Sequence, residues 1–372
     1  MLQVRVVVLV FGMSLATSMV HAGQVVKETK TGTPPIKSIN VLSFAPEGVL
    51  LIGDGSGSQI VVIETGDDSA RPKLKQPIAD IDAKMAARLG TKSDGIEIID
   101  MAVNPASGTP YFAVRKQDDK RHLILTVDAQ GEIREFALND VPYARVRLKA
   151  GEDNISRITD VAWAESKIIA AGRSNETFAS KIFSINAPLN HDSAGSVYSA
   201  ETYHVSHRRW ETKAPMSVLI PIRENDKTYV VGAFSCTPVV KYPLDSLKPG
   251  AQVKGTSVIE LGSGNRPIDM FVYKKNGKPF VLANTFRFHH KRRPFGPSPY
   301  WTVKFEQGLL GENKAVNEKA IRRLEGNKPV TDKITMVETF HGVMQMDKLD
   351  DFQALALRQN DDGMSLEVLA LP

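Results

Sequence analysis

The sequence predicts an all-β fold, a β-propeller of six or seven four-stranded blades with short helical insertions. Three observations lead there. Short β-like runs recur along the chain, each an apolar strand, a turn, and a second strand ending in small residues. Their spacing is roughly 50 to 60 residues, the length of one blade. A third run usually follows each pair, so every unit has room for a small sheet. One small sheet cannot bury both of its faces, whereas a ring of sheets can. A β-sandwich also shows short strands and turns, but the repeat length fits a blade better.

Taken in chain order, Met1 to Ala22 reads as a secretory signal peptide. Arg5 supplies a positive start, Val6 to Met13 an apolar run, and Val20-His21-Ala22 the small residues of a cleavage site. The apolar run is too short to span a bilayer, and no later run is long enough. The mature protein is therefore expected to be exported, periplasmic or secreted, with no transmembrane segment. Residues 23–35 (GQVVKETKTGTPP) lack apolar periodicity and read as a flexible lead-in. A single propeller domain is expected over 36–372, with an insertion at 286–333.

Six stretches stack as repeats. They are "SINVLSFAPEGVLLIGD" from Ser38, "IIDMAVNPASGTPYFAV" from Ile98, "ITDVAWAESKIIAAG" from Ile158, "PMSVLIPIRENDKTYVVGAF" from Pro215, "PIDMFVYKKNGKPFVLANT" from Pro267 and "VMQMDKLDDFQALALRQ" from Val343. Two segments have helical periodicity instead. Ile78, Ile81, Met85 and Leu89 share a face, with Gly90 as the stop, and Val316, Ala320, Ile321 and Leu324 repeat the pattern before Gly326.

The 372 residues carry a formal charge of +5. Export makes nucleic acid an improbable partner, which leaves a protein, a glycan or an anionic surface. The single cysteine, Cys236, excludes an internal disulfide framework. No C-x-x-C-H, G-x-S-x-G, H-E-x-x-H, Walker loop or full EF-hand occurs. Only three tryptophans are present, which argues against a quinone-cofactor propeller.

The stretch "ETYHVSHRRWET", Glu201 to Thr212, holds the strongest metal candidates, His204 and His207. Histidine is the commonest transition-metal ligand. On an extended strand, residues three apart face opposite ways. Both rings meet one ion only if the strand ends near Val205 and the chain turns. Otherwise they are strand-end residues beside a solvated basic loop. A wider set would add Cys236 and His341, with Met344 or Met346, and would suit copper. Zinc or calcium are the other cofactor candidates, calcium through Asp54 in "GDGSGSQ", which a Gly/Ser-rich turn also explains.

Ligand-binding candidates fall in three places. Asn175 and Glu176 lie in a polar turn after a strand. Arg209 and Trp210 follow the histidines. Lys291, Arg292, Arg293 and Trp301 belong to "FRFHHKRRPFGPSPYW", where basic groups beside aromatics can grip anionic or carbohydrate surfaces. Asp100, Asp160 and Asp269 recur at equivalent repeat positions and are expected to anchor turns.

Several stretches together resemble an exported bacterial family of propeller-like proteins of unknown function. They are "SNETFAS" from Ser174, "ETYHVSHRRWETKAP" from Glu201, "CTPVVKYPLDSLKPGAQVKGTSVIELGSGNRPIDM" from Cys236 and, more weakly, "GTKSDGIEIIDMAVNPASG" from Gly90. The resemblance implies the fold class and export, and carries no catalytic residues with it. The chain departs from the family after "VLANT", where the family continues into another strand.

From these readings the protein is expected to be a non-catalytic propeller that binds through its central mouth and its basic aromatic loop. The alternative is a periplasmic metal-dependent oxidoreductase or lactonase-like hydrolase. That alternative needs His204, His207, Asp160, Glu176 or His341 to converge on the axis.

Overall fold

The computed structural model describes residues 24–149, 155–175, 177–205, 207–235, 238–262, 264–292, 296–312, 314, 317, 321–322, 324–325, 328–329 and 331–372. The expected signal peptide, Glu176, Cys236 and Arg293 lie outside the described residues.

The chain is all-β in a propeller arrangement. Among the described residues, six strands line its axis: β1 (Val41–Ala45), β2 (Ile96–Val103), β3 (Ile155–Ala164), β4 (Met216–Glu224), β5 (Asn265–Lys275) and β6 (Val343–Lys348). Each pairs antiparallel with the strand that follows it and starts a small meander. The second strands read VLLIGD, PYFAVRK, KIIAAGRS, KTYVVGAF, KPFVLANTFR and QALALRQ. These are nearly continuous apolar runs because both faces of a central strand are covered. Small residues keep the stacked sheets close. A side chain at Gly53 would come within 2.7 Å of Ile158 Cγ2 on the neighbouring β3 sheet, so glycine lets the two sheets approach there.

Around the axis the order is β2, β1, β3, β4, β5, β6, and β6 packs back on β2. This is not the chain order. After β1, Val49–Asp54 and Gln59–Glu64, the chain leaves to build the β2 sheet on the far side. It then returns as Val141–Arg147 to complete the β1 sheet. The β3 and β4 sheets are joined at their outer edges by parallel pairing of Ser199–Thr202 with Gln252–Gly255. The β6 sheet has three strands. Ile78 bridges its outer edge at Leu366, and the helix α1 (Ile81–Arg88) packs beside it.

Three expectations need correction. The lead-in is anchored where described: Val25 and Val26 are buried, and Lys30–Gly32 pairs with Val141–Tyr143. Its apolar pair was too short to register as periodicity. The second helix is not formed by its described residues. Ile321–Arg322 pairs in parallel with Ile259–Glu260, and Leu324–Glu325 pairs with Lys328–Pro329, so strand pairing overrides the helical spacing there. Third, the span 286–333 is not wholly an insertion, since Tyr300–Glu306 is the third strand of the β5 sheet. Trp301 on that strand is 1% exposed in the apolar core, so it packs the sheet and is not a surface ligand contact. Among the described residues no helix is long and apolar enough to cross a membrane.

Candidate functional sites: an axial cavity and a histidine hairpin

The inner strands of the six sheets enclose a cavity of about 540 Å3. Each inner strand pairs on one side only, so its other edge presents unpaired backbone groups toward the axis. Buried backbone donors need partners. Four aspartates supply them across sheet boundaries. The Leu42 N–H of β1 donates to Asp100 Oδ2 of β2 at 2.6 Å, and the Leu219 N–H of β4 to Asp160 Oδ2 of β3 at 2.6 Å. The Met346 N–H of β6 donates to Asp269 Oδ2 of β5 at 2.8 Å, and the Val103 N–H of β2 to Asp347 Oδ2 of β6 at 2.7 Å.

A β-bulge aims these side chains. Register shifts fall between Ile98 and Asp100, Ile158 and Asp160, Pro267 and Met270, and Val343 and Gln345, with a matching shift in β4 between Met216 and Val218. An extra residue in one strand re-aims its neighbours and strengthens local twist. The aspartates are thus inter-sheet ties within strands and not the turn anchors expected from their recurrence. Asp347 was missed, because "VMQMDKLDD" is out of step with the other repeats.

All four aspartates border the cavity. Asp100 is buried, and the others are half-buried. Burial in protein pushes Asp160 up to about 8, Asp100 to about 7 and Asp347 to about 6. Burial and then the Asp100 charge hold Asp269 well above the usual carboxylate range. The backbone hydrogen bonds act in the opposite direction and are outweighed. At neutral pH the ring therefore mixes protonated acids with carboxylates.

Arg157, Arg173, Arg266 and Tyr300 also line the cavity. Burial and then the Arg266 charge hold Arg157 below the usual guanidinium range, and the Arg173 charge acts the same way. The basic aromatic loop adjoins them. Phe286 packs 5.1 Å from Tyr300, and the Arg266 guanidinium lies 5.7 Å from the Phe286 ring. The Phe288 N–H donates to the Gly264 carbonyl, one residue before β5 begins. Lys291 and Arg292, further along the loop, are exposed.

The histidines lie elsewhere, on the outermost strand of the β3 sheet. Ser196–His204 ends at His204, the chain turns, and Arg209–Glu211 pairs back on it. The His207 N–H donates to the His204 carbonyl at 3.1 Å, and Arg208 adopts φ 52° to close the turn. This is the turn that a shared ion requires. The rings stand 4.2 Å apart, centroid to centroid. His207 Nδ1 is 2.6 Å from Glu211 Oε1, and His204 Nδ1 is 3.2 Å from Glu211 Oε2. Ligand atoms of His204, His207 and Glu211 all lie within 4.8 Å of one another.

Glu211 was overlooked although it ends the same stretch. Thr202 pairs with Glu211 and His204 with Arg209, so Glu211 and His204 are diagonal neighbours on one face. Reading the segment as a hairpin would have revealed it. Glu260 had no local signal. It is buried, accepts the Val205 N–H at 3.0 Å, and lies 3.4 Å from His204 Nε2. Burial lowers the His204 pKa, but the hydrogen bond and charge of Glu260 and the charge of Glu211 overcome this and raise it. Burial raises Glu211, and contacts with His207, Arg209 and His204 bring it below its ordinary value.

The other candidates are dispersed. Met344 and Met346 line the axial cavity, whereas His204, His207 and His341 do not. The Arg358 guanidinium binds the His341 carbonyl at the start of β6. Of the residues required to converge on the axis for an enzyme, only Asp160 does so among those described. Asn175 is exposed. Trp210 packs edge-on against Tyr203, with Lys254 Nζ 4.7 Å from its ring centre, and Arg209 Nε lies 3.2 Å from Glu211 Oε1.

No known protein-family profile matches the chain, and no curated relative matches its sequence. Some solved structures resemble it at low similarity. One is a mutant alpha-L-arabinanase from Cellvibrio cellulosa, at 11% identity and TM-score 0.31, covering 92% of this chain and 96% of that one. Another is a GH43 endo-arabinanase from Bacillus licheniformis, at 9% identity and TM-score 0.38, covering 73% and 93%. A chain of a mitotic checkpoint complex matches at 9% identity and TM-score 0.36, covering 100% and 99%. Likeness at this level carries no argument about activity.

Proposed function

We propose that the protein is an exported six-bladed propeller that binds an acidic saccharide in its axial cavity, entering past the arginine rim. The observation that carries this reading is the lining of one cavity by Arg157, Arg173 and Arg266 together with four aspartates. Guanidinium groups suit the carboxylate or sulfate of such a ligand. Protonated and ionised aspartates beneath them offer both donors and acceptors to hydroxyl groups. The exposed Lys291 and Arg292 extend the field that draws an anion inward.

The test is calorimetric titration of the purified chain with uronic-acid oligosaccharides and with neutral oligosaccharides of equal length. Saturable binding of the acidic series, weakened at least about tenfold in Arg266→Met, supports the reading. Equal binding of both series, or of neither, refutes it.

A second reading is favoured by the split among the carboxylates. Asp160 and Asp100 hold protons near neutrality while Asp347 titrates lower. A proton donor beside a base is the minimum for glycoside hydrolysis. Release of reducing ends from a bound saccharide, abolished in Asp160→Asn, would support hydrolysis. Binding without turnover would remove it.

A further inference from the structure

We propose that the hairpin at the outer edge of the β3 sheet is a transition-metal site, with His204, His207 and Glu211 as ligands and Glu260 positioning His204. The site is separate from the axial cavity and stands independently of the saccharide reading.

Four observations carry it. Two imidazoles and a carboxylate converge within 4.8 Å, which is close enough for one ion to touch all three. Both His204 Nδ1 and His207 Nδ1 face the same Glu211 carboxylate, at 3.2 and 2.6 Å. The far nitrogen, His204 Nε2, faces Glu260 Oε2 at 3.4 Å. A ligand histidine characteristically gives its other ring nitrogen to a carboxylate, which fixes its tautomer and orientation. Finally, His204 is 5% exposed and held on a paired strand, whereas the His207 side chain is 51% exposed. The site is therefore anchored on one side and open to solvent on the other.

The donor set selects the ion. Two nitrogens and a carboxylate oxygen suit zinc(II), with a fourth position open to water, and rank copper(II) above it in affinity. Calcium prefers six or more oxygen ligands and is poorly served. Arg209 occupies Glu211 Oε1 at 3.2 Å, but its side chain is 71% exposed and has room to withdraw.

The experiment uses the untagged exported chain, stripped with chelator and titrated calorimetrically with zinc chloride, copper(II) chloride and calcium chloride. One zinc per chain is expected, displaced by copper and not by calcium. His207→Ala should weaken zinc at least about tenfold, as should Glu211→Gln. His207 is exposed, so its removal leaves the fold intact and the test decisive even if His204→Ala misfolds. His289→Ala with His290→Ala serves as the control and should bind zinc unchanged. Glu260→Gln should keep the stoichiometry, weaken affinity about tenfold, and shift the visible bands of the cobalt(II)-loaded protein. Absence of zinc binding, zinc retained at full affinity in His207→Ala, or equal competition by calcium would each overturn the assignment.

Discussion

The axial ring and the histidine hairpin both gather carboxylates, but they are assembled in opposite ways. The hairpin draws three of its four groups from eight consecutive residues and one turn. The ring joins residues 58, 59, 77 and 244 positions apart, each tie crossing from one sheet to the next. In the ring the carboxylates are already committed to backbone donors. In the hairpin Glu211 meets titratable side chains, while Glu260 joins the Val205 backbone donor to His204. The contrast separates carboxylates that tie one sheet to the next from one, Glu211, that gathers side chains within a single turn.

The largest effect expected from this contrast is at Asp160. Removing its carboxylate strands the Leu219 and Val161 N–H groups, which donate at 2.6 and 2.7 Å. Asp160→Ala should cost about 3 kcal/mol, measured from urea unfolding, because each unsatisfied buried donor costs about 1–3 kcal/mol. Asp160→Asn retains an acceptor and should cost much less. Equal losses in the two variants would break the claim that the aspartates act as acceptors for backbone groups.

A smaller effect concerns pH. The folded values of Asp347, Asp100 and Asp160 are raised to about 6, 7 and 8. The native state therefore binds more protons than the unfolded chain through this range. Stability from these groups is complete below the unfolded carboxylate range and declines as pH rises through 6 to 8. The melting temperature should fall between pH 5.5 and 8.5, and Asp160→Asn with Asp100→Asn should flatten the slope. A melting temperature that rises across this interval in the parent protein would contradict the raised values.

The smallest effect is expected at the hairpin. Without metal, Glu211→Gln keeps an acceptor oxygen for the buried His204 and loses its charged contacts to the exposed His207 and Arg209, and such surface pairs contribute about 0–1 kcal/mol. Its urea midpoint should nearly match that of the parent. A loss as large as that of Asp160→Ala would mean that the hairpin is a structural clamp.

The same contrast explains what was legible beforehand. The repeat of strand, turn and strand revealed the propeller, since the first two strands of each sheet are adjacent in the chain. The helix α1 was legible because its apolar spacing and Gly90 stop are local. Half of the hairpin was visible in His204 and His207, and the turn that unites them was stated as a condition. Glu260 was not visible, because parallel pairing between outer strands brings it close from 56 residues beyond His204. The aspartates were noticed, but their role depends on bulges and on neighbours in another sheet, which no spacing encodes. Trp301 was misjudged because its strand follows a loop rich in charge, and composition spread the loop's character onto it.

One feature of the chain path bears on how the molecule is made. Strand Val141–Arg147 finishes a sheet begun a hundred residues earlier, and the Asp347 tie to Val103 closes the ring only near the C-terminus. Two early sheets are thus left with open seams until late segments arrive. Contacts of such sequence separation slow folding, since the loop between the partners must close before they help. Nascent chains truncated before residue 343 should therefore expose unsealed sheet edges, and the last thirty residues act as the latch on a ring that all earlier residues can only partly assemble.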